Sequence, residues 1–151
     1  MSLIIATGSN LGDKKSNLQN AKKYLSHFFH LVSESQIYQS EAVDYTNQPF
    51  FFNQVLEFKE PDQGPQEVMR QLLSIEKLMG RRRDIPKGPR IIDLDLIFFG
   101  NQKFNSANVT LPHPRWDKRD FVYIPLKELP FSRSPFIAQR NFPKSIDLIR
   151  I

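Results

Sequence analysis

The sequence predicts an α+β fold of the ferredoxin-like type, in which a β-α-β-β-α-β chain order builds an antiparallel sheet with its helices on one face. Two kinds of pattern support this prediction. Four short segments are apolar or alternate with a period of two, as strands do. Two longer segments between them carry apolar residues at helical spacing. A C-terminal hairpin and helix are expected as an appendage to this core.

The first half of the pattern ends near residue 59. Residues 3–7 form an apolar run that predicts a short buried strand, and residues 15–28 predict an amphipathic helix. Residues 31–39 are rich in β-branched and aromatic side chains and predict one continuous strand. After a polar loop, residues 51–59 alternate and predict the next strand. Its buried face is expected to carry Phe52, Leu56 and Phe58.

The second half begins with Pro65, because proline is tolerated in the first turn of a helix. Gly80 is placed to end this helix. Its apolar stripe consists of Val68, Leu72, Ile75 and Met79. Residues 91–99 predict the last core strand, and residues 109–111 predict a short strand that pairs back. Residues 121–129 fit either a short helix or extended chain.

Composition bounds the class of protein. The 151 residues suit one domain, and residues 1–151 are expected to form it. Hydrophobic residues make up 40% and charged residues 25%, which is ordinary for a globular protein. No apolar run reaches the roughly 20 residues that a membrane helix needs. The absence of cysteine excludes disulfides, thiolate catalysis and cysteine metal sites, and makes the cytoplasm the default compartment.

The formal net charge of +5 fits either a mildly basic surface or a polyanionic partner, namely nucleotide phosphates or nucleic acid. A dense group of cations precedes the last core strand, and it consists of Arg81, Arg82, Arg83, Lys87 and Arg90. The strand that follows carries Asp93 and Asp95. Concentrated positive charge beside paired carboxylates suits a small metal-bound polyphosphate better than a long nucleic-acid backbone.

The Asp-x-Asp motif is the strongest local signal. Alternation along the strand directs Ile92, Leu94, Leu96 and Phe98 into the core. Asp93 and Asp95 then point together to the other face, where two like charges repel each other unless a cation compensates them. Magnesium prefers oxygen ligands and commonly takes one or two carboxylates plus substrate phosphates. The alternative is a pair of solvated edge charges that pair with Arg90.

Each cationic or hydrogen-bonding group near this motif has two possible roles, one in binding phosphate and one without a ligand. Arg81, Arg83 and Arg90 are candidate phosphate clamps, because a guanidinium group binds phosphate oxygens bidentately. The alternative is a solvated basic loop. His113, held between two prolines, is a candidate hydrogen-bond donor to a phosphate. Its alternative is an ordinary structural histidine.

Two residues of the strand over residues 51–59 are expected on the same face as the aspartates, namely Phe51 and Asn53. An exposed ring beside an amide offers a flat heterocycle a stacking surface and an edge-reading group. The alternative is that Phe51 covers loose loop residues. Gly8-Ser9-Asn10 follows the first strand as a phosphate turn would, but it lacks the other glycines of a P-loop.

Taken together, these segments resemble the 6-hydroxymethyl-7,8-dihydropterin pyrophosphokinase family of folate biosynthesis. The similar stretches occur in the family's order and cover roughly residues 3–129. They are residues 6–12, 51–53, 75–83, 88–95, 111–114 and 119–122. The Gly-Pro-Arg-x-x-Asp-x-Asp block and the Leu-Pro-His-Pro block are together quite specific.

The resemblance implies that the diphosphate of ATP moves onto the pterin hydroxymethyl group with release of AMP. ATP and 6-hydroxymethyl-7,8-dihydropterin are the implied partners, whereas nucleic acid and membrane are not expected. Functional coupling to other folate enzymes is also implied. Carried over by position, Asp93 and Asp95 hold two magnesium ions. The implied catalytic residues are Arg81, Arg83 and Asp95.

Binding roles follow from the same resemblance. The ATP-binding residues are Glu76, Arg90, Thr110, His113 and Arg119. The pterin-binding residues are Ser40, Ala42, Val43, Phe51, Asn53 and Phe121. Asn10 is expected in a mobile loop that closes the site, with the loops over residues 40–49 and 82–87. The chain departs from the family pattern at Lys87 and Pro114, where aromatic residues occur, and at Phe51, where a tyrosine is frequent.

Two other classes of protein compete with this interpretation. A nucleotidyltransferase of the polymerase-β type also combines Gly-Ser with a strand-borne Asp-x-Asp, but there the two elements lie close in sequence, unlike Ser9 and Asp93. A ferredoxin-like nucleic-acid-binding module without catalysis fits the net charge of +5 and the 13 phenylalanines. Paired aspartates on its exposed sheet face would, however, repel a phosphate backbone.

Overall fold

The computed structural model describes residues 1–43, 47–82, 87–145 and 147–151, apart from the side chain of residue 136. In these ranges the strands are β1 (Ser2–Ser9), β2 (Leu31–Glu34), β3 (Tyr38–Ser40), β4 (Phe51–Lys59), β5 (Asp93–Phe99), β6 (Phe104–Asn105), β7 (Thr110–Leu111) and β8 (Ile149–Arg150). The α-helices are α1 (Lys14–Phe28), α2 (Pro65–Leu78), α3 (Asp120–Leu126) and α4 (Pro135–Ala138). Short 3₁₀ turns span Trp116–Lys118 and Pro130–Arg133.

The main sheet has the strand order β5-β1-β4-β3-β8, and β2 also pairs with β4. Every one of these pairings is antiparallel. β6 and β7 form a separate two-stranded hairpin. The predicted antiparallel sheet with helices is therefore confirmed.

Two apolar clusters cover the two faces of the sheet. Helices α1 and α2 pack on one face, where Leu25 and Leu72 join Leu56 of β4 in a fully buried cluster. The other face carries α3 and the C-terminal third, where Leu126 packs with Ile4 of β1. Because neighbouring residues along β1 face opposite clusters, both sides of the central strand are buried. Among the described residues no helix is long and apolar enough to cross a membrane.

The ends of the two long helices follow local signals in the sequence. Asp13 caps α1 by accepting a hydrogen bond from the backbone N–H of Ser16 at 3.1 Å. α2 begins at Pro65 and is followed by Gly80, whose φ of 90° is a conformation that glycine adopts without steric cost. The backbone N–H of Arg81 then donates to the carbonyl of Glu76 at 3.0 Å. The chain is thereby turned so that Arg81 lies beside the end of the helix.

The single strand predicted for residues 31–39 is wrong, because the chain leaves the ladder between β2 and β3. The Ser35 hydroxyl accepts a hydrogen bond from the backbone N–H of Val55 at 3.0 Å and so replaces a backbone partner. The Gln36 N–H donates to the carboxylate of Glu128 at 2.8 Å, and the Tyr38 hydroxyl donates to the same carboxylate. Burial and the Glu128 hydrogen bond raise the pKa of Tyr38 to about 12.

The predicted orientation of Phe98 is also wrong. The register of β1 with β5 pairs Ile4 with Phe98 but Ile5 with Leu96, so Ile97 is an extra residue on β5. Such a bulge reverses the alternation beyond it. Phe98 consequently packs with Ile4 on the α3 side of the sheet, while Leu96 remains on the α1 and α2 side.

Candidate active site

A cavity of about 350 Å³ lies at one end of the sheet. Its sheet-derived walls are Ala6, Thr7, Gly8, Phe51, Asn53, Asp93 and Asp95. The end of β3 contributes Ser40, and loops together with the region around the start of α3 contribute Glu41, Val43, Arg81, Lys87, Arg90, His113, Arg115, Arg119 and Phe121. Most of the predicted site residues are thus brought together, and five cationic side chains face three acidic ones.

Strand β1 forms the floor of this cavity with small residues. The register pairs Gly8 with Asn53 on one side and with Asp93 on the other, and it pairs Ala6 with Asp95. A Cβ atom at Gly8 would lie 3.4 Å from the Asn53 amide oxygen and 3.5 Å from the Phe51 ring. The absence of a side chain there keeps the space between the amide and the carboxylates open.

The two aspartates share a sheet face, as alternation predicts, but their surroundings differ. Asp93 accepts a hydrogen bond from Arg81 at 2.8 Å, and its second oxygen lies 3.7 Å from Arg90 Nε. Among the described residues, Asp95 has no ion pair. Burial, and then the charge of Asp93, raise the pKa of Asp95 well above its ordinary value, although Arg119 opposes the shift. Asp95 is therefore the carboxyl group of the pair whose charge is less well compensated.

A buried arginine links the end of α2 to the aspartates. Arg81 Nη1 lies 2.7 Å from Glu76 Oε2 and 2.8 Å from Asp93 Oδ1. Glu76 is 4% exposed and also accepts a hydrogen bond from the Leu94 N–H at 2.8 Å. Glu76 does not line the cavity, so it lies behind Asp93 and fixes the position of Arg81.

Phe51 is buried rather than exposed, which corrects the expectation of an exposed ring. It is 6% exposed, and the Arg90 guanidinium carbon lies 4.9 Å from the centre of its ring. The ring still lines the cavity, whereas Phe52 points to the opposite face and packs near α1. Arg90 thus contacts both the aromatic wall and Asp93.

Asn53 is held so that its carbonyl oxygen is available to the cavity. Its Nδ2 donates to the Ser40 hydroxyl at 2.8 Å and to the Tyr38 carbonyl at 3.4 Å. Because a backbone carbonyl only accepts, this contact fixes which end of the amide is nitrogen. The Asn53 oxygen lies on the Gly8 side, at the cavity floor.

His113 is neutral near pH 7 because burial, and then the charges of Arg119 and Arg115, lower its pKa to about 4. Its Nδ1 accepts a hydrogen bond from the Arg115 backbone N–H at 3.1 Å. The proton of the neutral ring must therefore be on Nε2. The peptide bond between Leu111 and Pro112, just before this histidine, is cis.

Asn10 is buried just beyond the end of β1, and its role in a loop that closes the site stays a prediction. It is 2% exposed, and its amide donates to Gln48 at 2.9 Å and to the Pro49 carbonyl at 3.1 Å. Its oxygen accepts from the Arg90 backbone N–H at 2.8 Å, and Gln48 Nε2 donates to the Lys87 carbonyl at 2.9 Å. Asn10 therefore joins three loops around the cavity.

Some predicted site residues lie apart from the cavity. Thr110 is exposed and its hydroxyl donates to the side chain of Asn105 at 3.2 Å. Ala42 is buried beside the lining residues without lining the cavity itself. Arg83 falls outside the described residues, as does part of the loops over residues 40–49 and 82–87 that are expected to close over the site.

Sequence reasoning missed two charged lining residues, Glu41 and Arg115. Glu41 follows the predicted pterin-binding residue Ser40, and Arg115 lies two residues after the predicted ATP-binding residue His113. A charged residue that close to a rigid candidate position was the available signal. Lys87, assigned no role in the predictions, also lines the cavity and has a φ of 59°.

The carboxylate pair fits magnesium as part of a shared site. Among the described residues, no cluster of three or more histidine, cysteine or acidic side chains forms a complete metal cage. Magnesium does not need one, because it keeps waters and takes substrate phosphates as ligands beside one or two carboxylates. The raised pKa of Asp95 marks a place where a cation would relieve poorly compensated negative charge.

Comparison with known proteins agrees with this geometry. Residues 4–130 match the family model described as 7,8-dihydro-6-hydroxymethylpterin-pyrophosphokinase (HPPK). A relative from Aquifex aeolicus, named 2-amino-4-hydroxy-6-hydroxymethyldihydropteridine pyrophosphokinase, is 34% identical over 125 residues, which cover 83% of this chain and 78% of the relative.

Longer proteins are similar over part of their length. The mitochondrial folate synthesis bifunctional protein of Pisum sativum is 38% identical over 128 residues, which are 84% of this chain but 25% of that protein. A crystal structure of HPPK-DHPS in complex with substrates has a TM-score of 0.65 at 12% identity, covering 93% of this chain and 42% of the other. At that identity the likeness supports the fold alone.

Proposed function

This chain belongs to the 7,8-dihydro-6-hydroxymethylpterin-pyrophosphokinase family, and we propose that it transfers the diphosphate of ATP to the hydroxymethyl group of 6-hydroxymethyl-7,8-dihydropterin, releasing AMP. We assign this step in folate synthesis to a single domain formed by residues 1–151. The strand order β5-β1-β4-β2 supports assigning its core to the ferredoxin-like arrangement.

One observation carries the proposal. A single cavity joins an aromatic and amide wall, formed by Phe51, Phe121 and Asn53, to a charged wall that contains Asp93 and Asp95. A flat heterocycle suits the first wall and a polyphosphate suits the second. The reaction requires both substrates side by side, and one continuous cavity provides that arrangement.

The pterin is assigned to the aromatic end. Its ring stacks against Phe51 and Phe121, and its ring N–H groups donate to the Asn53 oxygen, which no described donor occupies. Ser40 holds the Asn53 amide, and the backbone around Ala42 and Val43 completes the edge of the pocket. Arg90 lies over the Phe51 ring and must turn aside if the heterocycle stacks on that face.

The triphosphate is assigned to the cationic end. The buried Nε–H groups of Arg81 and Arg90 have no hydrogen-bond acceptor among the described residues, which favours an anion as the missing partner. Arg119 supplies a further guanidinium group, and neutral His113 donates from Nε2. Glu76 serves ATP binding indirectly, through its ion pair with Arg81.

Asp93 and Asp95 would hold two magnesium ions, which when bound neutralise the charge of the triphosphate and orient it. Arg81 currently neutralises Asp93, so this arginine is placed to exchange that contact for a phosphate oxygen. Arg83 remains a proposed catalytic residue by its position in the family pattern. Thr110 remains a proposed ATP-binding residue on the same ground.

In the proposed reaction the pterin hydroxymethyl oxygen forms a bond to the β-phosphorus of ATP. The bond from that phosphorus to the oxygen bridging the α-phosphate breaks, AMP leaves with this oxygen, and the hydroxyl proton is released. Arg81, Arg90 and Arg119 stabilise the charge that develops on the phosphate oxygens. Asn10 and Gln48 hold the surrounding loops together and so help to exclude water.

Neither competing class gains support from the site. Ser9 is fully buried and accepts a hydrogen bond from Asn17 Nδ2 at 3.1 Å, so it does not act beside Asp93 as a polymerase-β type site would need. Acidic side chains line the cavity, and their negative charge would repel the phosphates of a nucleic-acid backbone. Because the pea relative is named a bifunctional folate synthesis protein, we also propose functional coupling to another enzyme of that synthesis.

Titration of the pterin tests the assignment of the aromatic wall. With magnesium and a non-transferable ATP analogue present, Phe51→Ala is expected to weaken pterin binding at least about fivefold, since stacking and burial of one ring contribute about 1–3 kcal/mol. Phe52→Ala, on the opposite face of the same strand, is the matched control. Equal weakening by both variants, or none by Phe51→Ala, would overturn the assignment. In turnover, release of pyrophosphate instead of AMP would favour a nucleotidyltransferase.

A further inference from the structure

The chain beyond the residues that match the family model crosses from α3 to the edge of the sheet. We call its described residues 140–145 and 147–151 the C-terminal strap. The family match ends at residue 130, so nothing in that match assigns the strap a role. The strap contacts both α3 and β3, the two elements next to the aromatic end of the cavity.

The first anchor is an aromatic contact on α3. The Phe142 ring stacks on Tyr123 with ring centres 4.7 Å apart and planes 11° from parallel, and it meets the edge of Trp116 at 5.6 Å. Lys127 Nζ lies 4.9 Å from the centre of the same ring. The Tyr123 hydroxyl donates to the Pro143 carbonyl at 3.0 Å. The strap is therefore fixed to the outer side of α3.

The second anchor reaches the start of α3. The Ser145 hydroxyl donates to the carboxylate of Asp120 and accepts hydrogen bonds from the backbone N–H groups of Asp147 at 3.3 Å and Leu148 at 3.2 Å. Asp120 stands between Arg119 and Phe121, and both neighbours line the substrate cavity. Ser145 thereby restrains the short segment that presents a guanidinium group and an aromatic ring to the substrates.

The third anchor is on the sheet. β8 pairs antiparallel with β3, so that Ile149 lies opposite Gln39 and Arg150 opposite Tyr38. The Ile151 N–H donates to the Ile37 carbonyl at 2.8 Å. β3 ends at Ser40, which holds the Asn53 amide. The strap thus pairs with β3, the strand that leads into the loop after Ser40, to which pterin binding is assigned.

A second cavity of about 240 Å³ lies between the two anchored elements. It shares five lining residues with the substrate cavity, namely Ser40, Glu41, Val43, Arg119 and Phe121. The strap contributes Asp147 to its wall. The aromatic end of the substrate site therefore has the strap directly behind it.

We propose that the C-terminal strap positions the pterin-binding wall, with Ser145 as the positioning residue that ties Asp120, and through it Arg119 and Phe121, to the strand that ends at Ser40. The proposal rests on the function proposed above. The charged end of the cavity has no contact with the strap among the described hydrogen bonds and ring contacts. In the described part of the chain, the strap reaches the charged end only through Arg119, so it is expected to affect pterin binding more than ATP binding.

Full-length Ser145→Ala tests the proposal, with Ser145→Thr as the conservative variant that keeps the hydroxyl. Loss of one hydrogen bond to a carboxylate is expected to raise KM for the pterin about threefold to tenfold. KM for ATP is expected to rise less than KM for the pterin, and Ser145→Thr is expected to recover most of the pterin effect. The matched control is Ser132→Ala, which removes a hydroxyl from the same third of the chain, where it donates to the Leu129 carbonyl at 2.7 Å.

Amide hydrogen exchange supplies a readout that does not depend on turnover. Ser145→Ala is expected to speed exchange over residues 119–126 and 38–43 but not in α1. An equal rise in both KM values, a pterin KM like that of Ser132→Ala, or unchanged exchange in both segments would overturn the positioning role. If the unmodified protein forms no pterin-dependent AMP, the proposed function fails, and the exchange result alone then decides whether the strap restrains the two segments.

Discussion

Asp93 and Asp95 are two residues apart on one strand, yet only Asp93 has arginine partners among the described residues. Asp95→Asn keeps the shape of the side chain and removes its charge. We expect turnover to fall at least about a thousandfold, because the proposed metal site exchanges an anionic ligand for a neutral one and loses charge stabilisation. The free energy of unfolding at neutral pH is expected to stay the same or rise, because a desolvated charge beside a like charge is removed.

Pterin-dependent AMP formation and urea unfolding measure these two effects of Asp95→Asn. Asp62→Asn is the control, since Asp62 is exposed in the turn before α2. Near-normal AMP formation by Asp95→Asn would show that the metal assignment is wrong. A large loss of stability would instead show that Asp95 has a structural partner.

Arg81 is expected to be structural as well as functional. Arg81→Gln leaves the buried carboxylate of Glu76 and the half-buried carboxylate of Asp93 without their shared cation. Breaking such a buried ion pair is expected to reduce the free energy of unfolding by about 3 kcal/mol. Arg70→Gln is the matched control, because the pair that Arg70 makes with Glu67 is exposed and is expected to contribute less than about 1 kcal/mol. Similar small losses in both variants would contradict a buried role for Arg81.

His113 gives the fold a pH dependence with a defined sign. Its pKa is lowered to about 4 from an ordinary 6.5, so the unfolded chain binds a proton that the folded protein excludes. The contribution of the neutral ring to stability is therefore complete above about pH 6.5 and is lost as the pH falls toward 4. Urea unfolding between pH 7 and 4 should show a shallower decline for His113→Gln than for the unmodified protein.

His27→Gln is the control for that series, because His27 is exposed near the end of α1. An identical decline in the unmodified protein and in His113→Gln would mean that the ring of His113 is accessible to protons in the folded state. In that case the folded protein would not keep His113 in the neutral form that was assigned as the Nε2–H donor to phosphate.

At the scale of elements, the two long helices could be predicted because their signals are local. Apolar spacing, Pro65 and Gly80 all lie within or next to the helix that they define. The break between β2 and β3 could not be predicted, because Glu128 satisfies Gln36 from 92 positions along the chain. The bulge at Ile97 depends on the register against β1, which the alternation of β5 alone does not contain.

Gly80 provides a test at this scale. Its φ of 90° disfavours any side chain, although a Cβ atom would have room, with Ile91 as its nearest neighbour at 3.7 Å. Gly80→Ala is therefore expected to reduce the free energy of unfolding by about 1 kcal/mol through backbone conformation alone. Ser74→Ala, at an exposed position inside the same helix, where the backbone already suits alanine, is the control. Equal stability of the two variants in urea would contradict the role of Gly80.

At the scale of the whole molecule, many residues of the site could be predicted from the sequence. The contacts that join these residues to one another could not. The aspartates, Phe51 and Asn53 were found because strand alternation places them on one face. The burial of Asn10 and the position of Glu76 behind Arg81 depend on loops and helix ends that meet only in the folded chain. Arg115 was missed for the same reason, since no periodic pattern includes it.

The central claim is that one cavity holds ATP and the pterin together for diphosphate transfer. The most direct measurement is AMP formation from ATP and magnesium with and without 6-hydroxymethyl-7,8-dihydropterin. We predict that AMP appears only when the pterin is present. The amount of AMP should equal the amount of pterin diphosphate that is formed. AMP formed at the same rate without the pterin, or no AMP when both substrates are present, would contradict the account.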